Sequence, residues 1–215
     1  PRIHCLVKRL PLFFLVLLSA SIVAQQDPSG SGRLDSLKRL IKNSSGSEKA
    51  VLLSGLAKLY ARTGLVSSLM LFEQALGICR EEEYDTTALK ILSEYPKSLS
   101  YAGEPELARH YLIIGRDMIA TNAKLPDEYV VRIYSALFDL HYWFLNDYDS
   151  CIYYSQKWVE VAPDSTWRAN GYLEIGASYA NKGDNIKALE YYNITQDYLQ
   201  SPKADIWLKS SLANN

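Results

Sequence analysis

The sequence predicts an all-α protein built as a stack of antiparallel helix pairs. Three observations carry that expectation. In residues 169–192, ANGYLEIGASYANKGDNIKALEYY, the large apolar residues Tyr172, Ile175 and Tyr179 fall three and four apart and so share one helix face, while Ala188 and Tyr192 do the same for a second helix. Between them, Asn181-Lys182-Gly183-Asp184 has the chemistry of a stop and a restart: glycine for a left-handed C-terminal cap, then aspartate for the next N-cap. Third, the same order recurs upstream, with turns at Gly64, Gly103, Asn146 and Gly183 that lie 39, 43 and 37 residues apart.

Composition narrows the function classes. An apolar content of 48% excludes a disordered chain, and a net charge of −1 gives no electrostatic case for nucleic acid. Sixteen Tyr stand against five Phe and two Met, a bias that suits rings buried between helices with the hydroxyl near water, and equally suits a binding surface. The chain opens on Pro1 and its first methionine is Met70, so the reading frame is expected to begin upstream or at a non-standard start such as Val7. Residues 1–24 have the layout of a secretory signal: Lys8 and Arg9, an apolar run from Leu10 to Leu18, and Ile22-Val23-Ala24 as a small-residue cleavage site. An uncleaved anchor is the alternative; no cysteine follows the run, which argues against a lipoprotein. The mature chain is expected to be exported, to the periplasm or the extracytoplasmic face of the inner membrane. Cys79 and Cys151 are then the remaining cysteines, too few for a disulfide framework and read as buried free thiols.

Taken in order, residues 25–32 contain DPSGSG and read as a flexible spacer. Residues 33–46 read as an N-terminal capping helix with Leu34, Leu37, Leu40 and Ile41 on one face. From residue 47 to residue 215 runs the repeat array. In the first pair Leu53, Leu56 and Tyr60 form the face, Ala57 is the small residue, and Thr63-Gly64 turns before Leu69, Phe72 and Leu76. The second pair keeps Leu92, Tyr95 and Leu99 but has Pro96 where glycine is expected, predicting a kink or a late helix start. Its turn, Gly103-Glu104-Pro105, leads into Ala108 and Tyr111. The third pair has Phe138 and Tyr142, a turn at Asn146-Asp147-Tyr148, Cys151 at the small site, Trp158 between units and Pro163 at the close. The fourth is the pair quoted above, with Gly176 beside Tyr179 leaving room for a neighbouring helix. Residues 204–215 look like the opening helix of a fifth pair, so the array reads as truncated at its C-terminal end.

The order Tyr172, Ile175, Gly176, Tyr179, Gly183-Asp184, Ala188, Tyr192, with Pro163 closing the preceding unit, resembles a tetratricopeptide repeat. The spacing exceeds that family's minimal period of about 34 residues, which places the excess in longer helices or loops. Together with the signal-like start and the opening LDSLKRLIKNSSGSEKAVLLSGLAKLY, the array is similar to the extracytoplasmic repeat arrays of Bacteroidetes signalling proteins. That resemblance implies a membrane helix and a histidine kinase, or a LuxR-type regulator, further along the chain. The function it implies is a non-catalytic protein–protein interaction module, the sensory or assembly part of a signal-transduction protein. A freestanding repeat scaffold is the alternative.

No reaction is expected of these residues. His110 and His141 lie on separate pairs without ligand-spaced partners, there is no phosphate-binding or nucleophile motif, and Glu81-Glu82-Glu83 reads as a solvated run. Neither cofactor nor metal is expected. Stacked helix pairs present their first helices on a concave side. That selects Lys58, Arg62, Lys90 and Lys97 as a basic group, Leu137, Leu140, Trp143 and Phe144 as an apolar wall, and Asn170, Glu174, Ala177 and Asn181 beyond them. Such a groove would suit an extended peptide with an acidic or carboxylate end. The lysine and asparagine pattern of the tetratricopeptide carboxylate clamp is not reproduced. The competing reading packs Trp143 and Phe144 against neighbouring repeats and leaves the lysines as solubilising charge. Partners are thus protein or peptide, with no nucleic acid; membrane association comes only through a signal or a downstream helix, and self-association stays open.

Overall fold

The computed structural model describes residues 28–199. The expected signal segment, the Ser201-Pro202 break and the expected fifth-pair helix lie outside the described residues. The chain divides into two compact units, Pro1–Ser36 and Leu37–Asn215. Every regular element among the described residues is helical. Helix α1 spans Pro28–Asn43, so part of the expected spacer is helix instead. The reason is local: proline in a first helical turn forfeits no hydrogen bond, because the first four N–H groups have no intrahelical acceptor. The boundaries of the next unit shift with it, since α2 begins at Gly46.

Four helix pairs follow: α2 (Gly46–Tyr60) with α3 (Leu65–Glu81), α4 (Asp85–Tyr101) with α5 (Pro105–Thr121), α6 (Asp127–Leu140) with α7 (Tyr148–Val161), and α8 (Ser165–Asn181) with α9 (Asn185–Leu199). This is an all-α helical-repeat architecture, as the sequence predicts. First helices also stack on one another, α2 on α4 and α4 on α6, whereas α8 packs on α7 as well as on its pair-mate α9.

The turns behave as their residues dictate. Gly103 (φ +88°) and Gly183 (φ +82°) take the left-handed conformation that glycine adopts without a Cβ penalty, and the Asp184 carboxylate accepts from the Lys187 N–H at 3.1 Å. Gly64 is different: its φ of −161° is ordinary extended backbone, so nothing there demands glycine. Gly183→Ala is expected to lower stability by about 1 kcal/mol, with no loss for Gly64→Ala, a difference that thermal melts of the two variants would read directly.

Four residues into each second helix stands a small, fully packed residue. They are Ser68, Ala108, Cys151 and Ala188, none more than 3% exposed. Each donates its N–H to the carbonyl at its helix N-cap, with distances from 2.9 to 3.1 Å. Larger side chains there would push the paired helix away. Across the last pair, a Cβ built on Gly176 would come within 2.6 Å of the Tyr192 ring, so the missing side chain is what lets α9 close on α8. Two further close approaches were not read from sequence: Gly171 against Val159, and Gly115 against Ile133, each at 2.6 Å from a built Cβ.

Pro96 neither delays nor ends its helix. Helix α4 begins at Asp85 and continues through Pro96, which is itself buried. Proline removes the bond to the Leu92 carbonyl, but its neighbours Leu92, Tyr95 and Leu99 have no exposed surface. Burial of that apolar face holds the helix together where local propensity would not. Tyr95 stacks on Phe72 at 3.9 Å between centroids, Tyr111 meets Phe72 edge-on at 5.0 Å, and the Tyr95 hydroxyl lies 2.9 Å from Ser68 Oγ.

Candidate peptide-binding face

The first helices bring most, though not all, of the expected site residues to one region. Between α4 and α6 lies a cavity of about 250 Å³. Its α4 side carries Glu94, Lys97 and Tyr101; its α6 side carries Arg132, Asp139 and Leu140, continued by Trp143 and Phe144. Trp143 is 68% exposed, whereas Phe144 is half-buried, edge-on to Tyr101 at 5.4 Å.

Two of the four expected basic residues are paired. Lys58 Nζ lies 2.7 Å from Glu94 Oε2, and Lys97 Nζ 3.5 Å from Asp139 Oδ2. Lys90 sits elsewhere, lining a second cavity of about 350 Å³ with Ser47, Val51, Thr86 and Tyr129, near the starts of α2, α4 and α6. Arg62 is exposed in the turn after α2.

The expectation of an outward wall from Leu137 and Leu140 is corrected by their burial. Leu137 has no exposed surface and belongs to the core, while Leu140 is 2% exposed and reaches the cavity only as its floor. The physical reason is a single π-helical turn, His141–Leu145, between α6 and the third turn. It ends at Asn146 in the left-handed conformation (φ 53°), whose N–H bonds to the His141 carbonyl five residues back. A π turn holds one residue more than an α turn, which rotates everything before it by about one residue's angle relative to everything after. The register is visible in the small-site contacts. Ser68 Oγ donates to the Ala57 carbonyl in the first pair, and Cys151 Sγ lies 3.9 Å from the Phe138 carbonyl in the third. The two contacts span 11 and 13 residues, so the third pair holds two residues more than the first over this stretch, one of them in the π turn; Phe138 takes the place of Ala57, and Leu137 that of Leu56, a core position. Trp143 lies within the π turn itself, which presents it to solvent.

Between α6 and α8 the side chains form a sparser seam. At one end the Arg132 guanidinium lies 5.9 Å from the Trp167 ring; at the other, Asn181 Nδ2 donates to the Tyr142 hydroxyl at 2.8 Å. Between these lie Asp139 on α6 and Glu174 on α8. Burial pushes the Asp139 carboxyl above its usual range, with Lys97 opposing. Burial, and then the Asp139 charge, push Glu174 up to about 7.

The remaining sequence-selected groups have other roles. His141 is buried, its Nδ1 3.2 Å from Asp147 Oδ2 without hydrogen-bonding geometry and its Nε2 without a partner. Burial lowers its pKa, against the pull of Asp147. His110 is exposed on α5 and does not join it. Cys79 and Cys151 are free and buried, their thiols pushed up to about 11 and about 12, so neither is a thiolate at neutral pH. Among the described residues, no three His, Cys, Asp or Glu side chains converge as a metal site, and no helix is long and apolar enough to cross a membrane.

Glu94, Asp139, Arg132 and Tyr101 were not read as site residues. Asp139 did carry a signal, being an acid inside the apolar run Leu137-Phe138-Asp139-Leu140. The others needed the stacking of α4 on α6 to be meaningful.

The chain is similar in fold to BtubC (BKLC) from P. vanneervenii, whose crystal structure superposes with a TM-score of 0.61 at 17% identity, covering 79% of this chain and 74% of that one. No protein-family model and no curated protein matches the chain.

Proposed function

We propose that the chain is a non-catalytic protein–protein interaction module of tetratricopeptide type, and that the α4–α6 face holds an extended segment of a partner protein. One observation carries this reading: Trp143, two-thirds exposed, lines a cavity together with Tyr101 and Phe144, and Glu94, Lys97, Arg132 and Asp139 line the same cavity. Exposed aromatic anchors beside paired charges are the composition of peptide-recognition surfaces. The order of residues in the last pair supports the tetratricopeptide assignment, and the signal-like start supports an extracytoplasmic setting, as the sensory or assembly part of a signalling protein of the Bacteroidetes kind. Sequencing past Asn215 tests that setting: a membrane helix followed by kinase or DNA-binding motifs is expected, and a stop codon soon after would favour a freestanding scaffold.

The binding claim has its own test. Peptides selected against the chain from a displayed random library should lose at least about tenfold in affinity to Trp143→Ala, while that variant's melting temperature stays within about 2 °C, as suits a mostly exposed side chain. Unchanged affinity would refute the site; global unfolding would place Trp143 in the core instead.

A further inference from the structure

His141 opens the π turn, is 5% exposed, and has no hydrogen-bond partner at either ring nitrogen. The turn closes on it. Its carbonyl accepts from the N–H of Asn146, which takes the left-handed conformation (φ 53°), and from the N–H of Asp147 at 3.1 Å. Trp143 and Phe144, both lining the cavity, lie inside the same turn. Asp147 Oδ2 lies 3.2 Å from Nδ1, and that carboxylate already accepts from the Ser150 N–H at 3.2 Å and the Ser150 hydroxyl at 2.6 Å. From α7 comes the Tyr154 ring, 5.4 Å away. The charges felt from α5 are those of Arg109 and Glu106, which pair with each other at 3.3 Å. None of these groups gives Nε2 a partner. A neutral imidazole leaves that nitrogen as an unpaired acceptor. An imidazolium makes it a charged donor, buried with nothing to accept from it, which is far costlier.

We infer that His141 is a proton-operated latch on the π turn. Neutral, it stays packed under the turn and Trp143 stands at the cavity. Protonated, it swings into water, its carbonyl gives up the Asn146 and Asp147 N–H groups, and Trp143 leaves the cavity. The consequence for binding rests on the peptide reading above: a partner segment held at neutral pH is released in acid. The sign follows from burial, which holds the ring below its ordinary value of 6.5 despite the pull of Asp147, with Arg109 adding to the effect of burial. The proton therefore binds more readily to the open turn. The closed turn is fully favoured above that ordinary value and loses ground as pH falls below it. Asp147, held below the usual carboxylate range chiefly by the Ser150 hydroxyl, stays ionised through that window.

The experiment follows amide hydrogen exchange of the native chain by NMR at about pH 7.5 and about pH 5.5, with rates corrected for the intrinsic effect of pH. Protection of the Asn146 and Asp147 amides should fall by at least about threefold on acidification, towards the limit of about tenfold that one proton bound only by the open turn allows. The Ala188 amide, bonded to the Asp184 carbonyl at 3.0 Å in the last pair, should keep its protection. Glu174 titrates in the same range, so His141→Phe, which fills the site and carries no charge, decides the cause: its protection should not change with pH. The imidazole 15N signals of the native chain decide it without a variant, since His141 should gain its proton as protection is lost. Protection that holds in acid, that falls alike in the native chain and H141F, or that is lost while His141 stays neutral would overturn the latch. A histidine-free peptide selected from the displayed library at neutral pH should bind the native chain at least about threefold more weakly in acid, and H141F equally at both pH values. Lost protection with unchanged affinity would uphold the latch and overturn the binding reading at Trp143.

Discussion

Phe72→Ala is expected to lower the stability of the helix stack by about 3–5 kcal/mol. Phe72 on α3 has no exposed surface and is the hub of a three-ring cluster, stacked on Tyr95 of α4 and edge-on to Tyr111 of α5. Removing the ring costs its transfer free energy and leaves a cavity that the two tyrosines cannot fill. Both hydroxyls are tethered, Tyr95 to Ser68 and Tyr111 to Glu73 Oε1 at 2.7 Å. Burial also holds both phenols protonated, Tyr95 pushed up to about 12 and Tyr111 higher still, so neither can gain charge to compensate. Because neighbouring repeats support one another through their interfaces, the loss should extend to the α4–α5 pair and hence to the α4 wall of the cavity. Urea unfolding followed by circular dichroism would show it as a lower midpoint. A loss under about 1 kcal/mol would mean that the cluster is not the hub of the first two pairs.

Glu174→Gln carries the second large expected effect, and its sign depends on pH. In the folded chain Glu174 holds its proton up to about pH 7, against an ordinary value of 4.5, because it is buried and faces Asp139. Between those two values the unfolded chain has released the proton and the folded chain has not. Stability therefore falls as pH rises through that window and stays at the lower level above it. At pH 8 the variant should be more stable than the native chain by about 1–3 kcal/mol, after allowing for the partial exposure of the carboxyl; at pH 4 the two should agree. Equal stability at both pH values would show that Glu174 ionises freely. Unfolding curves at the two pH values suffice.

The pairing of helices was open to reading because it depends on local chemistry. Apolar residues three and four apart, glycine at Gly103 and Gly183, aspartate at Asp184 and the small residues Ala108, Cys151 and Ala188 each act within a few residues of chain, and each does what its type predicts. The errors have a common origin in effects that are not local. Helix α4 starts well before Pro96 rather than late, because tertiary burial outweighs a missing backbone bond. Leu137 turned inward because one π turn after it shifted the face by a residue, and the sequence HYWFL has no composition that marks such a turn. The lysines of the first two pairs looked free because their partners stand 36 and 42 residues away, at Glu94 and Asp139. Only the stacking of first helices brings those carboxylates within reach, and it pairs Lys58 and Lys97 while Lys90 and Arg62 stay outside the α4–α6 cavity.

Partners are expected to bind along the first helices, at the α4–α6 face. The most direct measurement is the change in backbone amide NMR shifts when a library-selected peptide is added to the isotopically labelled chain. Shifts concentrated on α4, α6 and the π turn, with Lys97, Asp139 and Trp143 among the largest, are the predicted result. Shifts confined to α3, α5 and α7 would contradict it and move the binding surface to the second helices.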